Sequence, residues 1–562
     1  MKFKQPLQSY TPMKKYFFLP VAAGFFLVAC SGDGGKSSRY ADANDRSRDY
    51  EKVPYSEQES SGKYDFKHDL NPDYPLPPPP PPGTNTEEYA KLKENEYKSV
   101  ANAPLSTFSI DVDKASYSNV RRFISEGSLP PAEAVRVEEM INYFSYTYAQ
   151  PDVKNPHPFT VNMEVADCPW NPKHKLVHVG LQGKQIKADK IPPQNLVFLV
   201  DVSGSMAAEN KLPLVKSGLK LLVENLREED KVAIVTYAGD AGLKLRPTSG
   251  DEKAKITEAI DALQSGGSTA GEAGIRVAYE TARRFYKKNG NNRVILCTDG
   301  DFNVGIQSND ELEKLIEAKR NEGVFLTVLG FGMGNYKDDK MEILADKGNG
   351  NYAYIDDILE AKKVLVSEMS GTLLTIAKDV KIQVEFNPAL VKGYRLVGYE
   401  NRMLNAEDFN DDKKDAGEMG AGHSVTALYE IIPAGSDEKV TGAVDPLKYQ
   451  QLSTKAEGQE LLTVKCRYKM PADTASKMFA QPLSDGSRTF FTASENFRFA
   501  AAVAQFGMLL RDSEHKGTAT FENTLALARS AKGRDDEGYR SEFIRLAEKA
   551  ELLKKDVVKE NM

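Results

Sequence analysis

Three short segments carry oxygen-bearing side chains at positions where chemistry is common. Asp201-Val202-Ser203-Gly204-Ser205 follows the apolar run Leu196–Val200, and Thr298-Asp299-Gly300 follows the apolar run Val294–Cys297. Between them, Gly266-Gly267-Ser268-Thr269-Ala270-Gly271 reads as a tight loop opening a helix. Asp201, Ser203, Ser205, Thr269 and Asp299 together offer two carboxylates and three hydroxyls, with no soft ligand. Such a set suits a hard cation that keeps part of its water: Mg²⁺ first, Mn²⁺ or Ca²⁺ as alternatives. With only two charges on it, the ion stays electrophilic, and an open position can take a carboxylate from a partner. Helix capping and turn formation would be the plain use of these residue types, but three such segments in order at strand tips argue for a site.

These segments need a frame. From Asn195 to about Leu374, apolar runs (Leu196–Val200, Val232–Tyr237, Leu243–Leu245, Val294–Cys297, Phe325–Leu329, Tyr352–Ile355) alternate with helix-length stretches (Leu212–Leu226, Lys253–Leu263, Ala273–Tyr286, Asp310–Arg320, Lys337–Ala345). Alternation of this kind implies a doubly wound, mainly parallel sheet with helices on both faces, an α/β domain over 190–374. Ligands bind such sheets where the strand order reverses. With the order 3-2-1-4-5-6, strands one and four are neighbours there, and Asp201 faces Asp299.

The flanks read differently. Residues 157–186 and 375–470 alternate with period two and predict strands. Neither has a two-sheet core of its own, so we expect them to pair into one β-sandwich-like region around the inserted α/β domain. Residues 99–156 form a helical accessory segment behind the run Phe108–Asp113, Gly417–Gly422 reads as loop, and 471–562 is a linker followed by helices at 497–510, 521–531 and 539–553.

The three oxygen-bearing segments resemble the metal-ion-dependent adhesion site (MIDAS) of von Willebrand factor type A (vWA) domains. The resemblance implies that Ser203, Ser205 and Thr269 coordinate the ion directly or nearly so, with Asp201 and Asp299 acting mainly through water. The wider chain is similar to a bacterial vWA lipoprotein family with an N-terminal accessory segment and a characteristic C-terminal region. The matching stretches are Phe108-Ser109-Ile110-Asp111-Val112-Asp113, Cys168-Pro169-Trp170-Asn171, Thr298-Asp299-Gly300-Asp301-Phe302-Asn303-Val304-Gly305 and Gly420-Ala421-Gly422-His423-Ser424-Val425-Thr426-Ala427-Leu428-Tyr429-Glu430. This implies a binding or adhesion module, not an enzyme, whose protein ligand offers a carboxylate to the metal. A metal-dependent hydrolase, or a scaffold or cofactor of an envelope ATPase complex, is the alternative.

The N-terminus points to the envelope. Lys14-Lys15, the apolar run Tyr16–Val28 and Ala29-Cys30 have the layout of a secretory signal over 1–30, with Met13 as initiator and Cys30 as the lipidated residue. A lipid-anchored protein of the cell envelope follows, with Ser31 favouring the outer membrane. Residues 31–98 lack the aliphatic residues to order themselves and predict a disordered Pro-rich tether, stiff at the run Pro77–Pro82. A net charge of -7 leaves no basic face for nucleic acid.

Weaker candidates have plainer readings. Asp111-x-Asp113 could be a phosphatase nucleophile pair, but Ala115 departs from that motif and a helix cap is favoured. His174 and His178 do not converge on a strand and read as surface residues. His423 carries no assignable role. The acidic loop Asn410–Asp415 lacks EF-hand landmarks and reads as solvated. In an exported protein Cys168 and Cys466 could pair, although with the third thiol, Cys297, an unpaired set is favoured.

Overall fold

The structure is a computed structural model and describes residues 87–560 except 92, 153, 188–189, 239–241, 267–270, 301–308, 335, 369–373, 441–458 and 487. The segment read as a signal with Cys30, the segment read as a tether as far as residue 86, and Thr269 lie outside the described residues.

In chain order the first elements are β1 (Lys98–Ser99), β2 (Leu105–Ser109), α1 (Ala115–Ser125), α2 (Val137–Asn142), β3 (Phe159–Cys168) and β4 (Asn171–Gly183). The α/β domain follows with β5 (Gln194–Asp201), α3 (Leu212–Glu224), β6 (Lys231–Tyr237), β7 (Gly242–Ser249), α4 (Lys253–Asp261), α5 (Gly271–Arg284), β8 (Asn291–Thr298), α6 (Asn309–Asn321), β9 (Phe325–Phe331), α7 (Asp338–Lys347), β10 (Tyr352–Ile355) and α8 (Ile358–Lys362). Then come β11 (Thr375–Phe386), β12 (Val391–Val397), β13 (Met403–Leu404), β14 (Gly417–Gly420), β15 (Ser424–Pro433), β16 (Glu460–Lys469), β17 (Lys477–Ser484), α9 (Glu495–Leu510), α10 (Phe521–Ser530) and α11 (Tyr539–Glu560).

The α/β sheet has the order β10-β9-β8-β5-β6-β7, parallel except for β7. In the domain's own count this is 3-2-1-4-5-6 read from the other edge. β5 is buried along its whole length because it lies mid-sheet under helices on both faces. One face packs on α5, α6 and α7 through Ile275, Tyr279, Leu312 and Met341. The other packs on α3 and α4 through Leu212, Val215, Leu219, Ile256 and Ile260, and the three-four spacing of the α3 residues explains its single apolar stripe.

Two antiparallel sheets form the sandwich, β1-β12-β15-β4-β3 and β13-β2-β11-β16-β17, with β14 attached to β11. β4 and β15 run side by side with Val179 opposite Ala427, so strands from before and after the α/β domain share one sheet. Phe108, Val179, Ile382, Tyr429 and Val464 meet in the common core. A second core joins α1 and α2 to the C-terminal helices through Tyr117, Phe144, Phe499, Phe506 and Phe543. α9 is apolar nearly all round because neighbours enclose it, and Ser494 caps its start by accepting from the Phe497 amide at 3.2 Å.

Several expectations need correction. The accessory segment 99–156 is not only helical: β2 leaves its helices and pairs with β11, Phe108 opposite Ile382. The linker after residue 470 contains β17, which pairs along β16. It escapes period-two reading because both its faces are largely exposed. Gly417–Gly420 is a strand and not a loop. The tether ends before residue 98, because Glu87 is ion-paired to Arg122 at 2.8 Å, the Ala90 amide donates to Asp339 at 2.8 Å, and Lys98 pairs with Tyr394. The cysteines are as expected: Cys168 and Cys466 are free thiols in different cores, and Cys297 is a third buried thiol.

Candidate functional site

The carboxyl ends of β5, β6 and β8 converge at the reversal of strand order. β5 lies between β6 and β8, with Asp201 opposite Tyr237 and Val200 opposite Cys297. Asp201 ends β5 and is 1% exposed; Asp299, one residue past β8, is fully buried. Gly300 follows with φ +98°, a left-handed turn that a side chain would strain.

Each described side chain is held by its neighbours. Asp201 Oδ1 accepts from the Ser203 amide at 2.8 Å, and Oδ2 accepts from the Tyr237 hydroxyl at 2.9 Å. Burial raises the Asp201 pKa; the Ser203 amide, the Ser203 and Tyr237 side chains oppose that rise, and the charge of Asp299 adds to it. Lys211 Nζ donates to Asp299 Oδ2 at 2.8 Å. Ser203 is buried and Ser205 exposed, yet their Oγ atoms lie 2.9 Å apart. At that distance the two hydroxyls hydrogen-bond each other, and it is also close to the roughly 3.0 Å between neighbouring oxygens around an octahedral ion with bonds near 2.1 Å. The two serines therefore fit adjacent positions on a small hard cation. The Gly266 amide donates to Val202 O at 2.8 Å, which fixes the start of the Thr269 loop beside the Asp201 turn.

Among the described residues no group of three or more His, Cys, Asp or Glu side chains could hold a metal ion. The described side chains of the site are two hydroxyls and two carboxylates, all oxygen donors of the kind that suit a hard cation.

Motif reading missed Lys211 and Tyr237. Lys211 sits in the connection to α3 and Tyr237 at the end of a plain apolar strand, and only the packing brings them to Asp299 and Asp201. The weaker candidates have structural uses. Asp113 does not cap α1; its Oδ1 accepts from the Tyr352 amide at 3.0 Å and its Oδ2 from Arg402 at 2.9 Å. His174 and His178 are buried, not superficial. His174 Nδ1 lies 2.6 Å from Glu430, whose other oxygen accepts from Trp170 Nε1 at 3.0 Å and Arg395 at 2.9 Å. Against the upward push of burial, His174 and Arg395 hold Glu430 down at about 2. In the acidic loop, Asp412 pairs with Arg467 at 2.9 Å. His423 borders a cavity of about 580 Å³ beside Lys114 and Glu368, away from Asp201.

With the fold and site described, comparison with known proteins defines the class first. The family model described as von Willebrand factor type A domain matches residues 195–366, and one described as von Willebrand factor matches 83–178. A third, described as uncharacterized protein YfbK, C-terminal, matches 371–553. Over 474 residues the chain is 46% identical to uncharacterized protein YfbK of Escherichia coli, covering 83% of this chain and 81% of that protein. The chain belongs to the YfbK family of bacterial vWA-domain proteins. It is also 28% identical over 238 residues to uncharacterized protein sll0103 of Synechocystis, 42% of this chain and 56% of that one. A solved structure, von Willebrand factor type A from Catenulispora acidiphila, aligns with a TM-score of 0.38 at 16% identity over 69% of this chain and 89% of that one.

Proposed function

We propose that the chain is a lipid-anchored envelope protein that binds a protein ligand through a divalent metal held by Asp201, Ser203, Ser205, Thr269 and Asp299. The 2.9 Å approach of the Ser203 and Ser205 hydroxyls beside two buried carboxylates carries this reading. Mg²⁺ suits the set best, with Mn²⁺ and Ca²⁺ as alternatives. When bound, the ion supplies an electrophilic position for a carboxylate of the ligand.

The chain's own residues prepare that position. Tyr237 and the Ser203 amide orient Asp201 by taking one oxygen each. The Gly300 turn fixes the residue after Asp299. The buried sheet below keeps the carboxylates at one end of β5 and β8 without help from the ion, unlike a zinc finger, which folds around its metal. Both described carboxylates are committed to holding groups, leaving neither as a general base, so binding and not turnover is the function proposed. Anchoring rests on Leu27-Val28-Ala29-Cys30: Cys30→Ala should abolish labelling by fatty-acid analogues and leave an unprocessed or soluble precursor.

Calorimetric titration with Mg²⁺ and Mn²⁺ tests the site. The wild type should bind, Asp201→Asn and Asp299→Asn should lose about 10- to 100-fold in affinity, and circular dichroism should show the fold retained. Unchanged affinity in both variants would falsify the assignment. Pull-down from native envelopes should recover a protein ligand with Mg²⁺ and lose it in EDTA.

A further inference from the structure

Arg293 lies on β8 between Leu196 of β5 and Phe325 of β9, toward the opposite end of the sheet from Asp201. It is 1% exposed. Burial pulls its guanidinium down to about 10, against the charge of Glu418, so it stays charged at neutral pH. A buried charge is costly unless it is paired. Arg293 Nη1 donates to Thr327 Oγ1 at 2.7 Å, but Nε has no partner, and among the described residues no carboxylate forms an ion pair with the guanidinium. The side chain borders a cavity of about 220 Å³ where α7, β11 and β14 meet the sheet.

Most other charged groups of that wall have partners of their own. Asp415 pairs with Arg320 at 2.6 Å and Lys347 with Glu317 at 2.8 Å. Glu418 accepts from Asn349 Nδ2 at 2.7 Å and from Thr375 Oγ1 at 3.3 Å. Arg402 is shared by Asp113, Glu342 and Asp346 Oδ2, with Asp111 at 3.8 Å. Asp346 Oδ1 is the exception. It is buried and takes no N–H or O–H from the described residues, although a proton shared with Asp111 can bridge the two carboxyls. Burial, and then the charge of Asp111, push the Asp346 carboxyl well above the usual carboxylate range.

We propose that this cavity binds a small zwitterion of amino-acid type, with its carboxylate on Arg293 and its ammonium at Asp346 and Asp111. A bare anion would satisfy Arg293 but meet the carboxylates of Asp111, Asp346, Asp415 and Glu418. A metal ion or a simple ammonium would satisfy carboxylates and leave Arg293 unpaired. A ligand carrying both charges pairs both and brings no net charge into a buried place. Guanidinium suits the first contact because its fork takes a carboxylate through two parallel N–H bonds. The volume suits the size: it is below the roughly 300–1,000 Å³ that drug-sized ligands take, yet several times the about 30 Å³ of one water. Bound there, the ligand joins the sheet of the α/β domain to α7 and β14.

Thermal melting of the full-length protein tests the site. The probes are glycine, β-alanine and γ-aminobutyrate, whose two charges lie progressively farther apart, with acetate and methylammonium as single-charge controls. At least one zwitterion should raise the wild-type melting temperature in step with its concentration, and the controls should act at least about 10-fold more weakly. Arg293→Met should weaken that zwitterion by about 10-fold or more. Asp346→Asn should bring it down to the level of acetate. No response to any of the three zwitterions overturns the proposal. So does a wild-type response to acetate or methylammonium equal to the best zwitterion, or an Arg293→Met variant that responds like the wild type. Should Arg293→Met fail to fold, Asp346→Asn decides, and an unchanged preference for the zwitterion in that variant overturns the proposal.

Discussion

Among the described residues, buried carboxylates are put to two opposite uses. At the end of β5 and β8, Asp201 and Asp299 are held by a tyrosine, a backbone amide and one lysine. Where the α/β domain meets its flanks, Asp113, Glu342 and Asp346 surround Arg402 at 2.9, 2.7 and 2.7 Å, with Asp111 at 3.8 Å. Nearby Arg136 bridges Asp338 at 3.0 Å, Glu139 at 3.4 Å and Glu342. Arg121 does the same for Asp356, Glu360 and Glu542. The arginine clusters tie α1, α2 and the residues around β13 to α7 and the end of β10, each guanidinium meeting several carboxylates at once. Among the described residues the β5–β8 cluster meets hydroxyls and a lysine where the interface meets guanidinium groups. Carboxylates make an interface when arginines saturate them and a binding site when they do not.

Breaking the saturated cluster should have the largest effect. Arg402→Met leaves three close carboxylates without their shared cation. We expect a loss of about 3–5 kcal/mol in urea unfolding, with Mg²⁺ affinity unchanged in the folded fraction. A loss below 1 kcal/mol would mean that the carboxylates carry the interface unaided.

The reverse separation is expected at the other cluster. Asp299→Asn should reduce Mg²⁺ affinity by about 10- to 100-fold while unfolding in metal-free buffer shifts much less than for Arg402→Met. If both variants move stability equally, the two clusters do not differ in the way argued.

The interface should also respond to pH. Burial, only partly offset by Arg136 and reinforced by neighbouring carboxylates, pushes Glu139 up to about 8 and Asp338 up to about 7. Folded-state values above the ordinary 4.5 and 3.8 mean that the folded protein binds more protons than the unfolded chain. Stability should therefore fall as pH rises through this window toward 8. Glu430, held at about 2, acts with the opposite sign, so its contribution is lost as pH falls from its ordinary 4.5 toward 2. Thermal melts across pH 3–9 should show both limbs, and Glu139→Gln should flatten the upper one. A flat upper limb in the wild type would rule out this source of pH dependence.

The smallest effect should come from an exposed pair. Glu88 and Lys337 lie 2.8 Å apart with side chains 73% and 29% exposed. Glu88→Ala should cost roughly 0–1 kcal/mol. Glu87→Ala, which breaks the buried pair with Arg122, should cost more. Equal costs would show that burial is not what separates the two kinds of pair.

Much of this architecture was legible because its signals are local. Continuous apolar runs at Leu196–Val200 and Val294–Cys297 mark strands covered on both faces, and the helices between them imply parallel connections. Asp201, Ser203, Ser205 and Asp299 stood out because a strand tip at a switch point is where a parallel sheet binds. The sequence by itself therefore determined the α/β domain, most of the strands in its flanks but not β14 or β17, and the candidate oxygen set. It could not determine who neighbours whom across long separations. Period-two alternation tells which face of β2 is apolar, but not that its partner is β11. His174 and His178 look polar in sequence and are buried, His174 against Glu430 and His178 with its Nε2 on the Tyr148 hydroxyl. Lys211 reads as one lysine among many at a helix start, and only the approach of β8 to the α3 connection places its charge on Asp299. Local spacing sets period and propensity, whereas pairing, burial of charge and the choice between lysine and arginine as partner depend on contacts that exist only after the chain has closed on itself.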